Sequence, residues 1–299
     1  SGDHLGLNYI TTVQELAVLK RVIVQNVAPG GVAVLNAADP HAVAMASQCK
    51  GSVTFFARDR HHPVMATHRA QGHAVVYVQD GQLVAEQAAF KHSIALSQVP
   101  FTLAGAIPFQ VENALASVAA AWALGLDWSS MERGLNSFSN HQDNAAGRFN
   151  LFQYQGATVI ADYGHNPDAM AALVQAVQAL PATRRSVVIS GAGDRRDQDI
   201  RQQTEILGCA FDEVVLFEDQ CQRGRQDGEV IALLREGLQG ATRTSQIHEI
   251  KGEFRAIDVA MDKLQAGDLC LILVDQVEAA MAHIVNKMAT VQGHTRLAP

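Results

Sequence analysis

The stretch "TVIADYGHNPDAMAALVQAV", residues 158–177, decides the fold. With Ala157 it opens on an apolar, β-branched run, "ATVIA" (157–161), of the kind that forms a buried strand. Asp162 ends that run, Gly164 permits a tight turn, Asn166 is a capping residue, and Pro167 suits the first helical position, where its missing N–H costs nothing. Met170, Leu173, Val174 and Val177 then recur at helical spacing and give a helix one face to lay on a sheet. The turn presents Asp162 and His165 where the strand ends. Two readings of this pair stand at this level: turn and capping groups, or functional groups at a ligand-binding edge.

Working outward, the same order repeats. "SVVISG" (186–191), "EVVLF" (213–217) and "LCLILV" (269–274) are each followed by polar residues and then a helical pattern. That alternation predicts an α/β fold with a mainly parallel sheet, in which ligands gather beyond the carboxyl ends of the strands. The connecting loops there carry the charge: "GAGDRRDQD" (191–199), "EDQCQRGRQDGE" (218–229) and "DQVE" (275–278). The first half is less regular. "GGVAVLNAADP" (30–40) reads as a strand ending in an Asn/Asp loop, and "SVTFFA" (52–57) and "AVVYVQDGQLV" (74–84) as further strands with a turn at Asp80-Gly81. A long Ala-rich helix is expected over 112–126, ending at Gly125. The polar, small-residue segment "SNHQDNAAG" (139–147) makes the best linker, which places two domains at 1–146 and 147–299.

Composition narrows the classes. With 299 residues, 48% hydrophobic and 18% charged, the chain is long enough for two globular cores. No apolar run approaches the roughly 18 residues of a membrane span, so neither a membrane protein nor a membrane partner is expected. A formal charge of −7 argues against a nucleic-acid polymer as partner. Cys49, Cys209, Cys221 and Cys270 are widely spaced without a CxxC pair, which fits a reducing cytoplasm.

Several of these pieces, in order, resemble the Mur ligase superfamily of ATP-dependent amide ligases. "DYGHNP" is similar to its DYAHNP-type motif, with Gly164 where Ala is usual, and "GRFN" (147–150) to the opening of its C-terminal domain. "IPFQVENALASVAAAWALG" (107–125) resembles its adenine-side helix, with Gln110 where the first Asn usually stands and Asn113 at the second. "DHLG" (3–6), Lys20 and "VLNAADP" (34–40) look like its central-domain metal, lysine and NADDP segments. Within the superfamily, "DHLGL", "TVQELAVLKRVI", "SGAGDRRDQDIR", "RGRQDGE" and "AGDLCLILVDQVE" are most similar to the Mur-ligase-like half of the cyanophycin synthetase branch. The implied fold is an incomplete central ATPase domain followed by a Rossmann-like C-terminal domain. The abrupt start at "SGDHLGL" and the lack of any GxxxxGK[ST] phosphate loop lead us to expect a fragment that cannot complete ligation alone and needs an N-terminal remainder of a longer enzyme.

The resemblance implies carboxylate activation by ATP, with Mg²⁺, to an acyl phosphate that an amino-acid amine attacks. For this branch it implies arginine addition to the side chains of an aspartate polymer, in a cytoplasmic homo-oligomer. His4 is then the metal-side residue. Lys20, Arg148 and His165 become catalytic candidates, and Gln110, Asn113, Arg148, Asp162 and His165 nucleotide contacts, brought together by closure around 143–148. Asp194, Arg195, Arg196, Asp197, Arg223, Arg225 and Glu229 are the substrate candidates, because mixed charge suits a zwitterionic amino acid. Which loop takes arginine stays open. The bland alternatives are an exposed His4, a solvated Lys20, helix capping by Gln110 and Asn113, and solvated charge in the loops. At the level of function the alternatives are a noncatalytic binding or scaffold module and another Mur-type amino-acid ligase.

Overall fold

A reciprocal cap starts the first helix: Glu15 N donates to Thr12 Oγ1 at 3.2 Å and Thr12 N donates to Glu15 Oε2 at 3.0 Å, opening α1 (Val13–Gln25). The computed structural model describes residues 2, 5, 6, 9–218 and 222–295, so Asp3, His4 and Cys221 lie outside the described residues. These residues divide into two compact units, with the division after Ser139.

In the first unit α1 leads into β1 (Val32–Asn36), α2 (Pro40–Met45), β2 (Ser52–Asp59), α3 (Pro63–Ala70), β3 (Val75–Gln79), β4 (Gln82–Gln87) and β5 (Phe90–Ala95). The sheet order is β1-β2-β3-β4-β5, parallel through β3 and antiparallel after it. Asp80 and Gly81 turn the chain between β3 and β4 with φ of 52° and 71°, the left-handed pair that a two-residue hairpin needs. Two helices, α4 (Pro108–Ala123) and α5 (Trp128–Ser137), complete the unit. Alternate strand residues face opposite cores: Leu35, Phe55, Val75 and Tyr77 pack with Val24 and Met65, while Val76, Leu83 and Ile94 pack with Val111, Leu115 and Val118 of α4. Trp122 and Trp128 are packing residues, stacked on Phe90 and His92. The Ala-rich helix begins at Pro108, earlier than periodicity indicated, because proline is tolerated at its first position.

The second unit holds β6 (Asn150–Tyr154), β7 (Ala157–Asp162), α6 (Pro167–Gln178), β8 (Arg185–Ile189), α7 (Asp197–Gly208), β9 (Glu213–Glu218), α8 (Glu229–Gly237), β10 (Gln246–Lys251), α9 (Glu253–Asp262), β11 (Leu269–Leu273) and α10 (Val277–Thr295). Its sheet runs β10-β9-β8-β11-β7-β6, all parallel except the β7–β6 pair. The inner strands are buried on both faces, as a helix-covered parallel sheet requires. Both units are therefore α/β with mixed sheets, evenly divided between parallel and antiparallel pairs in the first and mainly parallel in the second. The second compact unit takes in the chain from Asn140, and the segment leading to β6 is tied to it: Leu151 N donates to Asn140 O at 3.4 Å and Asn150 Nδ2 to Ala145 O at 2.9 Å. Among the described residues no helix is long and apolar enough to cross a membrane.

The close approach of α7 and α8 offers a direct check on this packing. A Cβ on Gly237 would stand 2.2 Å from Arg201 O and 2.3 Å from Thr204 Oγ1. Gly237→Ala is expected to lower unfolding stability by about 2 kcal/mol, read as an earlier urea midpoint; an unchanged midpoint contradicts the packing described.

Candidate active site

The carboxyl edge of the second sheet is organised around the ends of β7 and the turn that precedes β6. Asn150 is 0% exposed and uses its whole amide: Oδ1 accepts from Gly147 N at 2.6 Å and Arg148 N at 3.3 Å, while Nδ2 donates to Ala145 O and Asn140 O. Gly147 and Phe149 adopt φ of 68° and 52°, and Gly147 also lies under Val277, whose Cγ1 would be 2.8 Å from an added Cβ. A left-handed Phe costs about 1 kcal/mol, and its N–H is held by Asp162 Oδ2 at 2.8 Å. The other carboxylate oxygen, Oδ1, accepts from Gly164 N at 2.6 Å. Tyr163 N donates to Gly147 O at 2.8 Å, so the two segments are stitched together on both sides of Asp162.

This frame presents three side chains. Arg148 is exposed, with its guanidinium 5.9 Å from the centroid of the Tyr163 ring. The Tyr163 ring meets the His165 ring edge-on at 4.3 Å. His165 Nδ1 sits against the Tyr163 carbonyl, which only accepts, so the neutral imidazole carries its proton on Nδ1. Asn166 Oδ1 then caps α6 by accepting from Ala169 N at 2.9 Å, and Pro167 takes the first helical position. Gly164 does not adopt left-handed backbone; its service is space, since a Cβ there would crowd Asp162 Oδ1 at 2.9 Å.

Burial pushes the Asp162 carboxyl above its ordinary range, against the two backbone N–H groups and the electrostatic pull of Arg148 and His165, which draw it down. Asp162 is 9% exposed. A raised carboxyl favours folding below its unfolded pKa, and that contribution is lost as pH rises through the folded value.

The loops after β8 and β9 brace each other. Arg225 donates from Nε to Gly193 O (2.7 Å), from one terminal nitrogen to Arg195 O (2.7 Å) and Asp197 Oδ1 (2.8 Å), and from the other to Glu229 Oε1 (2.5 Å). Gly193 must lack a side chain, because its Cβ would fall 2.1 Å from Gln222 O. Arg196 is bidentate to Asp199 at 2.8 and 2.7 Å. Arg223 is held more loosely, by Asp194 Oδ1 at 3.5 Å and Asp275 Oδ1 at 3.2 Å. Thus Arg196, Asp197, Arg225 and Glu229 spend their charge within the protein, and Arg223 makes longer carboxylate contacts than Arg196 or Arg225.

The first unit carries the other candidates on its own elements. Gln110 and Asn113 lie inside α4, where Asn113 Nδ2 donates to Gln110 Oε1 at 3.0 Å; the helix is capped by neither, its preceding residue being Ile107. Lys20 is exposed on α1. Asn36 Oδ1 accepts from Ala38 N and Asp39 Oδ1 caps α2, so the Asn/Asp loop after β1 is a turn as its sequence indicates. His4 lies outside the described residues, and among the described residues no three His, Cys, Asp or Glu side chains converge as a metal cage requires.

Four further contributors are Asn150, Tyr163, Glu253 and Asp275, the last within the charged "DQVE" loop. Tyr163 was findable, lying between Asp162 and His165 in one motif.

Comparison with known proteins places these features in context. Residues 147–273 match the glutamate ligase domain of Mur ligases and residues 1–121 the Mur ligase middle domain. Cyanophycin synthetase of Crocosphaera subtropica is 34% identical over 289 residues, 96% of this chain and 33% of its own length. The UDP-N-acetylmuramoyl-L-alanyl-D-glutamate–2,6-diaminopimelate ligase of Bradyrhizobium diazoefficiens is 30% identical over 277 residues, 91% of this chain and 53% of its own. In fold, the chain is similar to Mycobacterium tuberculosis folylpolyglutamate synthase complexed with ADP and AMPPCP, with a TM-score of 0.64, 20% identity, and coverage of 95% of this chain and 60% of that one. The chain spans about one third of the length of the cyanophycin synthetases it matches.

Carboxyl-carbon NMR on selectively labelled protein checks the electrostatics. Asp162 is expected to titrate above 3.8, and Arg148→Ala to move it further up by removing a positive neighbour. A midpoint at or below 3.8 contradicts the balance described.

Proposed function

This chain belongs to the Mur ligase family, and on that premise we propose that it forms the phosphate-facing and amino-acid-binding part of an ATP-dependent amide ligase. The observation that carries the reading is the group formed by Arg148, Tyr163 and His165 on the Asp162 frame at the carboxyl edge of a parallel sheet. That edge is where α/β folds gather ligands. The similarity to cyanophycin synthetases over 96% of the chain supports arginine and an aspartate polymer as the substrates.

The chemistry such a site must serve is demanding, because a carboxylate is a poor electrophile. An acceptor carboxylate oxygen attacks the γ-phosphorus of ATP, ADP leaves, and an acyl phosphate forms. The deprotonated amine of arginine attacks the acyl carbon, the carbon–oxygen bond to phosphate breaks, and an amide and inorganic phosphate result. Arg148 and His165 meet the phosphate charge at the edge where the Asp162 frame presents them. Asp162 holds both in place through the backbone. Arg223 and Asp194 offer opposite charges to the two ends of a zwitterionic amino acid.

The chain spans about one third of the length of the cyanophycin synthetases it matches, so the turnover is proposed for a complete ligase that contains it. That ligase is proposed to work as a cytoplasmic homo-oligomer. The alternative reading is a Mur-like module that binds polymer without turning over ATP.

ADP formation by the complete ligase with ATP, arginine and aspartate polymer separates the two. Arg148→Ala and His165→Ala are each expected to lower kcat on the order of 10²-fold while the protein stays folded. Wild-type turnover in both variants would overturn the roles given to Arg148 and His165, and polymer binding without any ADP formation by the unaltered enzyme would overturn the ligase assignment.

A further inference from the structure

We infer that Glu253 is a positioning residue for the amino-acid substrate, acting through the loop after β11 and through Arg223. The inference rests on the reading of the strand-end loops as the amino-acid site.

Glu253 opens α9 and is 4% exposed. A carboxylate so buried is costly unless hydrogen bonds replace its water. Its Oε1 accepts from Asp275 N at 2.8 Å and its Oε2 from Gln276 N at 3.1 Å. Both donors belong to the short connection between β11 and α10, and Gln276 O accepts Ala280 N to begin that helix. Acceptance of helix-start N–H groups by an anion is favourable on its own account.

The same connection reaches each functional part of the edge. Val274 N donates to Asp162 O at 2.9 Å. Val277 packs over Gly147, the residue before Arg148. Asp275 Oδ1 receives Arg223 at 3.2 Å, and the other terminal nitrogen of Arg223 points to Asp194 at 3.5 Å. Val274 follows directly on β11, which is paired on both sides, and its own bond to Asp162 O carries that pairing one residue further. Asp275 lies beyond the ladder, and Glu253 grips its backbone. The guanidinium of Arg223 thus takes its position from a carboxylate whose own main chain is set by Glu253.

Arg223 is suited to exchange partners. Arg225 and Arg196 make contacts of 2.5–2.8 Å that tie loop to loop or turn to helix. The longer contacts of Arg223 can give way to the α-carboxylate of an incoming amino acid, with Asp194 and Asp275 left to meet its positive groups. Glu253 faces the main chain of residues 275 and 276 and acts on the substrate only through this relay.

The test is steady-state kinetics on the complete ligase with ATP, aspartate polymer and arginine. Glu253→Gln keeps the shape but sets an amide N–H against one of the two donors. It is expected to raise KM for arginine roughly tenfold, the size of one charge-assisted hydrogen bond, with kcat and KM for ATP within about twofold. Asp275→Asn keeps the backbone contact to Glu253 and is expected to raise the same KM, which covers the case in which Glu253→Gln fails to fold. In a double-mutant cycle, Arg223→Lys with Glu253→Gln should cost no more than Arg223→Lys alone. Additive effects, or a fall in kcat with KM for arginine unmoved, overturn the relay while leaving the amino-acid site in place. If Arg223→Lys by itself leaves KM for arginine unchanged, the loops are not the amino-acid site and both readings fall.

Discussion

One carboxylate, withdrawn from water and answered by two backbone N–H groups, holds the functional edge together. Asp162 joins the end of β7 to Phe149 in one direction and to Gly164 in the other. The first bond fixes a left-handed phenylalanine and so the aim of the preceding Arg148; the second closes the turn that places His165. Burial raises the carboxyl, and four favourable groups offset that rise only in part. The site is thus built on a group that water would weaken, which explains why Asn150 and Val277 pack the surrounding turn so closely.

Charge in the neighbouring loops is divided by task. Arg225 and Arg196 satisfy themselves against carbonyls and carboxylates of the protein and give the loops their shape. Arg223 hangs between Asp194 and Asp275, and Asp275 is gripped from behind by Glu253. A cluster that reads in sequence as one mixed-charge patch is therefore a rigid brace with a more adjustable arginine beside it. The distinction decides which substitution disturbs the fold and which disturbs recognition.

Much of the fold was legible because the buried strands carry uninterrupted apolar runs. β7, β8, β9 and β11 are buried along their lengths, and each ends in the loop that the alternation of strand and helix predicts. The edge strands were not legible. β10, "QIHEIK", and β5, "FKHSIA", face solvent over most of their length, so neither presents an apolar signature. β6 follows a polar segment and begins on Asn150, whose burial depends on backbone partners that no spacing rule reveals. At the site, Asp162 and His165 stood out through one motif, and Tyr163 was overlooked within it. Glu253 gives no signal at all: an acidic residue at a helix start is ordinary, and only the fold shows that it is buried against a distant loop.

The two halves of the chain match consecutive domains of one enzyme family, and the chemistry proposed for them turns on a single intermediate. The most direct measurement follows oxygen. The complete ligase would be supplied with ATP, arginine and an aspartate polymer labelled with oxygen-18 in its side-chain carboxylates, and the released phosphate weighed by mass spectrometry. An acyl phosphate requires one labelled oxygen to appear in phosphate for each amide formed. Amide formation with unlabelled phosphate, or ADP release with no amide, would contradict the assignment.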